Sequence, residues 1–202
     1  MKDPHLLEVT GSEPLSLEEE IAMQQSWRDD PDKCTFIVLS REACGSCDKI
    51  DGDFCERNVH AMVGDVNLFL SEEEEEEGNT SLKNNREPRP LQAELNVMIA
   101  EKAYQRQGMG REASCLMMMY GAKNLGIRRY FCKILTDNHG SRTLFESLGF
   151  HQYHYAECFR QVELELKKKT SQEMVQTIAV LYGGSLTTFT CPLRHENEQT
   201  EN

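Results

Sequence analysis

The chain has 202 residues, 39% of them apolar and 28% charged, and a formal net charge of -12. That balance suits a single folded domain with a proper core and polar tails, and excludes a wholly disordered chain. The negative charge argues against sequence-independent binding of nucleic acid, and favours a basic partner or a substrate with a free amine. No apolar run approaches the ~20 residues of a membrane span. The N-terminus lacks a basic segment followed by an apolar stretch, so no membrane contact is expected and the expected location is cytoplasmic, with the nucleus the alternative.

In chain order, Ser16-Leu17-Glu18-Glu19 reads as a capping box. Leu17, Ile21 and Gln24 continue one helical face toward Trp27, and Pro31 breaks the helix. Cys34 to Leu39 is a β-rich run. The segment from Arg41 to Asn58 reads as a loop. It carries Cys44, Cys47 and Cys55, with His60 beyond it. These are zinc-type ligands, but the second half of the spacing is not a standard pair, so a metal-free polar loop is the preferred reading. Met62 to Leu70 forms a second strand, with Gly64-Asp65 expected as a bulge or bend.

Six glutamates, Glu72 to Glu77, lead into a polar stretch ending near Pro90. Like charges repel and bury no face, so about 71–90 is expected to be a mobile acidic loop. Ala93 to Ile99 is a third strand. The helix after it repeats Ala113, Leu116, Met117 and Tyr120 at helical spacing. Met117-Met118-Met119 reads as core filling, and Gly126 as the helix's end. Tyr130 to Leu135 is a strand. A short helix with Leu144, Phe145 and Leu148 follows, capped by Asn138 or Ser141, and Phe150 re-enters the sheet. Val162, Leu164 and Leu166 alternate with polar residues, as in a half-exposed antiparallel strand. This places a domain over 1–169 and leaves 170–202 as a tail, whose mildly apolar piece from Met174 to Tyr182 has no evident role. The element order predicts an α/β (α+β) fold with a mixed sheet flanked by helices.

Between the third strand and its helix lies Gln105-Arg106-Gln107-Gly108-Met109-Gly110. A strand, a tight glycine turn and a helix start make a place for a phosphate. The first N–H groups of the helix point at the anion, the macrodipole favours its charge, and glycine lets the backbone approach. A short G-x-G alone is equally an ordinary turn.

Gln105 to Gly110 resembles the Q/R-x-x-G-x-G/A loop of the GNAT superfamily of acetyl-CoA-dependent N-acetyltransferases. Asn138, Ser141, Leu144, Phe145, Gly149 and Phe150 fit that family's N-x-x-[SA]-x-x-L-[YF]-x-x-x-G-F element. Two blocks in this order are far more specific than either alone. Ser12 to Leu15, Asp32 to Leu39, Met62 to Leu70 and Val97 to Glu101 further resemble the N-acetyltransferase 9 subfamily. That subfamily is described as acetylating the N-terminal residues of α- and β-tubulin. The resemblance covers roughly Ser12 to Leu166. It implies a mostly antiparallel GNAT-like sheet, acetyl-CoA as co-substrate, and an acceptor that is a protein N-terminus, tubulin or the microtubule included. One departure is the opening strand of the family, for which no β-alternating run is present here.

The resemblance also implies roles. Backbone N–H groups of Gln107, Gly108, Met109, Gly110 and Arg111 would cradle the pyrophosphate. Arg106 and Arg111 would add charge-assisted contacts, or stand as surface arginines. The pantetheine arm would pair with the backbone of Val97, Met98 and Ile99, and a strand N–H near Met98 or Ile99 would face the oxyanion. Asn138 and Ser141 would serve the cofactor or the helix cap. Phe145 holds the place where many relatives carry a proton-donating tyrosine, which leaves Tyr104, Tyr153 and Tyr155 to weigh as acids or as packing. Glu94, eleven positions before Gln105, is the candidate base acting through a water, or else a surface carboxylate. An α-amine, with a reference pKa of about 7.7–8.0, asks less of a base than a lysine at about 10.4. The alternative reading is a non-catalytic acyl-CoA-binding or microtubule-associated module.

Overall fold

A computed structural model describes residues 4, 7, 8, 13–44, 53–73 and 89–183. The first helix, α1, covers Leu17–Asp29 and is opened by a complete capping box. Ser16 Oγ accepts from Glu19 N, and Glu19 Oε2 accepts from Ser16 N at 2.8 Å. The expected apolar face of α1 is corrected. Leu17 and Ile21 are 71% and 48% exposed, while Glu20, Met23 and Trp27 turn inward as far as half-burial. The reason lies in β1, Lys33–Leu39: Lys33 Nζ stands over the rings of both Trp27 and Phe69, and that contact sets the rotation of the helix.

Strand β2 runs Met62–Glu72, β3 Leu91–Ile99, β4 Arg129–Leu135, β5 His151–Ala156 and β6 Gln161–Lys167. The sheet order is β1-β2-β3-β4-β6-β5. Every neighbouring pair is antiparallel except β3 with β4. Helices α2 (Met109–Asn124), α3 (His139–Ser147) and α4 (Ser171–Tyr182) complete the main elements. α2 ends at Leu125, followed by the left-handed Gly126. The mixed sheet with flanking helices is the predicted class. β1 is an edge strand, with no strand beyond it among the described residues.

Helices α2, α3 and α4 share a core with one face of the sheet. Val66, Leu68, Ala93, Leu95, Tyr130, Leu164, Met117, Met118, Met119, Phe145, Leu148, Met174 and Ile178 are all buried there. The methionine run is core filling, as its spacing indicated. Residues 171–182, left without a role by sequence, form a helix whose Met174 and Ile178 are fully buried. The opposite face carries the alternate residues of each strand: Asp65, Asn67 and Phe69, then Gln92, Glu94 and Asn96, then Arg129, Phe131 and Lys133, then Glu163 and Glu165. Of the labelled helices, only α1 packs near this face, at the β1 end.

The expected bulge at Gly64-Asp65 lies one residue earlier. Val38 pairs Gly64 and Leu39 pairs Met62, so Val63 is the extra residue, and its carbonyl takes N–H groups from both Ala100 and Glu101. Gly64 is in regular register opposite Ile99, and its glycine has another cause: a Cβ there would lie 2.0 Å from Met98 O. The expected acidic loop begins later than Ser71, since Ser71 and Glu72 end β2. Glu73 is held by Arg128 through two bonds of 3.3 and 3.1 Å. Residues 74–88 lie outside the described part.

Candidate active site

Strands β3 and β4 part company. Their last paired residues are Glu94 and Phe131. Beyond them β3 continues through Leu95 to Ile99, still paired to β2. β4 continues to Leu135, still paired to β6. Among the described residues, the wedge between leaves one edge of β3 bare. Backbone alternation identifies which groups face it. Pro90 accepts from Glu73 and Ala100 donates to Val63, so the even positions turn their main chain to β2. The N–H and C=O groups of Leu95, Val97 and Ile99 therefore face the wedge, and those of Met98 do not. Of the two strand donors expected near the oxyanion, Ile99 N–H has the right direction.

The glycine turn stands at the wide end of the wedge. Gln105 Nε2 donates to Ile99 O at 2.8 Å, tying the loop to the strand. Gly110 faces Ile99 and Leu144. Arg106 and Gly108 have φ of 62° and 87°, a left-handed pair that turns successive N–H groups toward one side. Gly108 caps α2 with no side-chain bond, and a Cβ on it would meet no protein atom within 4 Å. The N–H groups of Gln107 through Arg111 meet no acceptor among the described residues. The first turn of a 16-residue helix thus opens onto free space.

The predicted residues divide. Gln105, Gly108, Met109 and Gly110 are gathered at the turn with Val97 and Ile99, and the exposed Arg106 makes no ion pair among the described residues. Gln107 spends its amide on Ala103 O. Arg111 is taken up structurally: its guanidinium donates to Ser147 O at 3.2 Å, Ser147 Oγ at 2.8 Å and Leu181 O at 3.3 Å, joining α2, α3 and α4. Asn138 is the cap of α3, its Oδ1 accepting from Ser141 N at 3.0 Å. The Phe145 ring is 3% exposed and packs edge-on against Phe150 at 5.1 Å. That side chain belongs to the core.

Glu94 sits where the strands separate. Its Oε2 is 3.1 Å from Lys133 Nζ, so a lysine from one wall bridges to a carboxylate on the other. Sequence reading missed Lys133; its only signal was a charged residue within the otherwise apolar run Tyr130 to Leu135. Beside Lys133 opens a cavity of about 790 Å³, lined among others by His154, Tyr155, Cys158, Phe159 and Glu163. His154 Nδ1 is 3.5 Å from Glu163 Oε2. Tyr153 lies over Arg129 at 5.1 Å, and burial with the Glu163 carboxylate pushes its hydroxyl up to about 12, well outside the range of a neutral-pH acid. A smaller cavity of about 270 Å³ lies between Gly108, Arg111, Glu112, Cys115, Leu181 and Tyr182. Cys47 lies outside the described residues, and His60 Nε2 is 3.0 Å from Ala43 O.

The arrangement fits a long thioester with an anionic head. Among the described residues, the bare β3 edge would suit an extended amide chain, the open helix start would suit phosphate, and the half-buried face opposite the core leaves an approach for a second substrate.

The acetyltransferase (GNAT) domain family matches residues 1–151. The chain is 43% identical over 167 residues to the N-acetyltransferase 9-like protein of Caenorhabditis briggsae, covering 82% of this chain and 73% of that one. It is 40% identical over 166 residues to the alpha/beta-tubulin-N-acetyltransferase 9 of Mus musculus, covering 82% of this chain and 61% of that one. Among solved structures, the spermidine N-acetyltransferase of Vibrio cholerae, in complex with CoA and spermine, superposes with a TM-score of 0.57 at 16% identity. That likeness covers 83% of this chain and 85% of the other, and it speaks for the fold. The chain belongs to the acetyltransferase (GNAT) family, a family of acyltransferases that use acetyl-CoA as donor.

Proposed function

We propose that this protein transfers acetyl directly from acetyl-CoA to the α-amine of a protein N-terminus within one ternary complex, with tubulin as the substrate and the cytoplasm as its place of action. The observation that carries the reading is the wedge between β3 and β4 opening onto the start of α2. The tubulin assignment rests on the names of the Mus musculus and Homo sapiens relatives, which are 40% and 38% identical.

Bound in the wedge, acetyl-CoA supplies the thioester carbonyl that the amine attacks. The N–H groups of Gln107 through Arg111 hold its pyrophosphate, with Arg106 free to add charge. Val97 pairs with the pantetheine amides, and Ile99 N–H donates to the developing oxyanion. The acceptor enters over the uncovered face, beside the cavity at Lys133 and His154. A carboxylate on that face takes the amine's proton through a water; sequence spacing offers Glu94, whose Oε2 is held by Lys133 at 3.1 Å. The Phe145 ring has no acidic proton, so solvent protonates the departing thiolate.

Purified full-length protein is expected to bind acetyl-CoA at one per chain and to acetylate free N-terminal tubulin peptides. Gly108→Val should abolish binding, because its side chain fills the space the phosphates need and φ of 87° strains any β-branched residue. Unchanged acetyl-CoA affinity in a folded Gly108→Val protein overturns the site. Stoichiometric binding without turnover of any peptide favours the non-catalytic module instead.

A further inference from the structure

The face opposite the core carries four carboxylates, and Asp65 is the one that pairs with no cation among the described residues, since Glu94 meets Lys133, Glu165 meets Arg129 and Glu163 meets His154. Asp65 projects from β2 onto the face that bears Glu94, opposite Ile37 of β1 and Met98 of β3. It is aimed by a three-residue relay across two strands. Thr35 Oγ1 donates to Asn67 Oδ1 at 2.6 Å, and Asn67 Nδ2 donates to Asp65 Oδ1 at 2.6 Å. Asn67 is 7% exposed, so the relay is buried at its middle. One carboxylate oxygen is fixed and the other is left for a partner.

Its surroundings contrast with those of Glu94. Glu94 is neutralised by Lys133. Asp65 pairs with no cation among the described residues; burial raises its carboxyl above the ordinary 3.8, and the Asn67 bond offsets part of that. Its packing partners Ile37, Asn67 and Met98 carry no charge. The charged groups nearby in the layer are accounted for. Glu94 and Lys133 hold each other, Lys33 lies between the Trp27 and Phe69 rings, and α1 turns Glu20 and Asp30 inward beyond β1. A half-buried carboxylate with no counter-ion costs folding free energy. Two carboxylates on one face with opposite environments are a sign of divided roles. Asp65 sits on the strand next to β3, and the bare edge of β3 faces the other way, so a thioester in the wedge lies two strand spacings, ~9.6 Å, from β2. That is a span for the Asp65 side chain, a bridging water and the bound amine together.

We propose that Asp65 is the carboxylate that receives the acceptor: it binds the incoming α-ammonium on the uncovered face and takes its proton through a water, while Asn67 and Thr35 are positioning residues and Glu94 stays tied to Lys133. This rests on the acetyl-transfer reading above. The ammonium gives one proton to Asp65. The amine nitrogen then bonds to the acetyl carbon, the carbon–sulfur bond breaks, and the second amine proton leaves with the thiolate through solvent. Asp65 returns its proton to water.

The test uses the full chain and a free-amine peptide. Asp65→Asn keeps the shape and the Asn67 contact. It is expected to lower kcat/KM about 100-fold and to erase the acid limb of the pH profile, with acetyl-CoA affinity unchanged as the control for folding. Thr35→Val should give an intermediate loss with a displaced limb, and Glu94→Gln should keep the limb. An Asp65→Asn protein within about threefold of the parent with its acid limb intact overturns the proposal, as does loss of the limb in Glu94→Gln. Asp65→Ser repeats the test should the first variant fail to fold. Calorimetry separates this idea from the transfer reading. The CoA-loaded parent should bind a free-amine pentapeptide more tightly than its N-formylated form, and Asp65→Asn should erase the preference. If the parent acetylates no peptide, the transfer reading falls and the calorimetric preference still decides Asp65. Equal binding of both peptides by the parent overturns it.

Discussion

Asp65 stands among buried apolar neighbours on β2, with Val63, Val66 and Leu68 each 4% exposed or less. Alternation places it on the other face, where it is still partly desolvated. Its charge therefore works against the fold, and the sign follows from linkage. A carboxyl whose folded pKa is raised above its unfolded value favours the native state while protonated. That advantage is complete below the unfolded value, near 3.8, and is lost as pH rises through the folded value. Asp65→Asn, which stays neutral throughout, should therefore melt higher than the parent at pH 7. The two melting curves should converge below about pH 3.8. Thermal denaturation followed across pH checks this, and a variant that is less stable at pH 7 contradicts it. Paired with the kinetic loss, the gain would mark a site where function is held at the expense of stability. Sequence reading took Gly64-Asp65 as a bulge or bend, and the bulge lies one residue earlier, at Val63. The glycine answers instead to the Met98 carbonyl, a contact between strands that no local pattern reveals.

At the level of elements, local chemistry announced itself and tertiary contacts did not. The capping box of α1, the period-two pattern of β6 and the Asn138 cap of α3 are written in neighbouring residues. The rotation of α1 was misread, because Trp27 and Lys33 decide it and they lie on different elements. The parting of β3 from β4 could not be read from either strand alone, since both remain fully paired on their other sides. Helix α4 is the clearest case. Its apolar residues look unremarkable in sequence, yet Met174 and Ile178 are fully buried against α2 and the sheet, and its Leu181 carbonyl takes a bond from Arg111. Arg111 thereby anchors the start of α2 to α3 and α4 rather than reaching for phosphate. A chain ending at residue 170 should lose the burial of two large side chains, about 2–5 kcal/mol each. It should also lose the Arg111–Leu181 brace beside the glycine turn. The expected result is a fall in melting temperature together with weaker acetyl-CoA binding, read by calorimetry on the shortened and full chains. A shortened protein with parental affinity and stability would show that α4 is dispensable.

For the molecule as a whole, the net charge of -12 acts on encounter more than on fold. The charge is not uniform. On the uncovered face, Glu163 and Glu165 flank the row that begins at Lys133 and Arg129, and Arg129 is itself bound to Glu165 at 2.6 Å. His154 and His151 sit within 3.5 and 3.6 Å of those same carboxylates. Apart from Asp65, the carboxylates of this face are held in short-range pairs, and the remaining field is that of the acidic whole. Such a field draws a cationic N-terminus in and repels an acidic one. Of two peptides with the same first residues, one followed by lysines and one by glutamates, the basic one should show the higher kcat/KM at low ionic strength. Salt shortens the Debye length from about 30 Å at 0.01 M to about 8 Å at 0.15 M. The advantage should therefore shrink across that range, while kcat at saturation stays level. Steering changes arrival, while the proposed chemistry between Asp65, Ile99 and the amine is short-ranged and screened little. A preference that survives unchanged at high salt would instead place the discrimination in direct contacts, with the carboxylates lining the cavity at Lys133 as the first residues to replace.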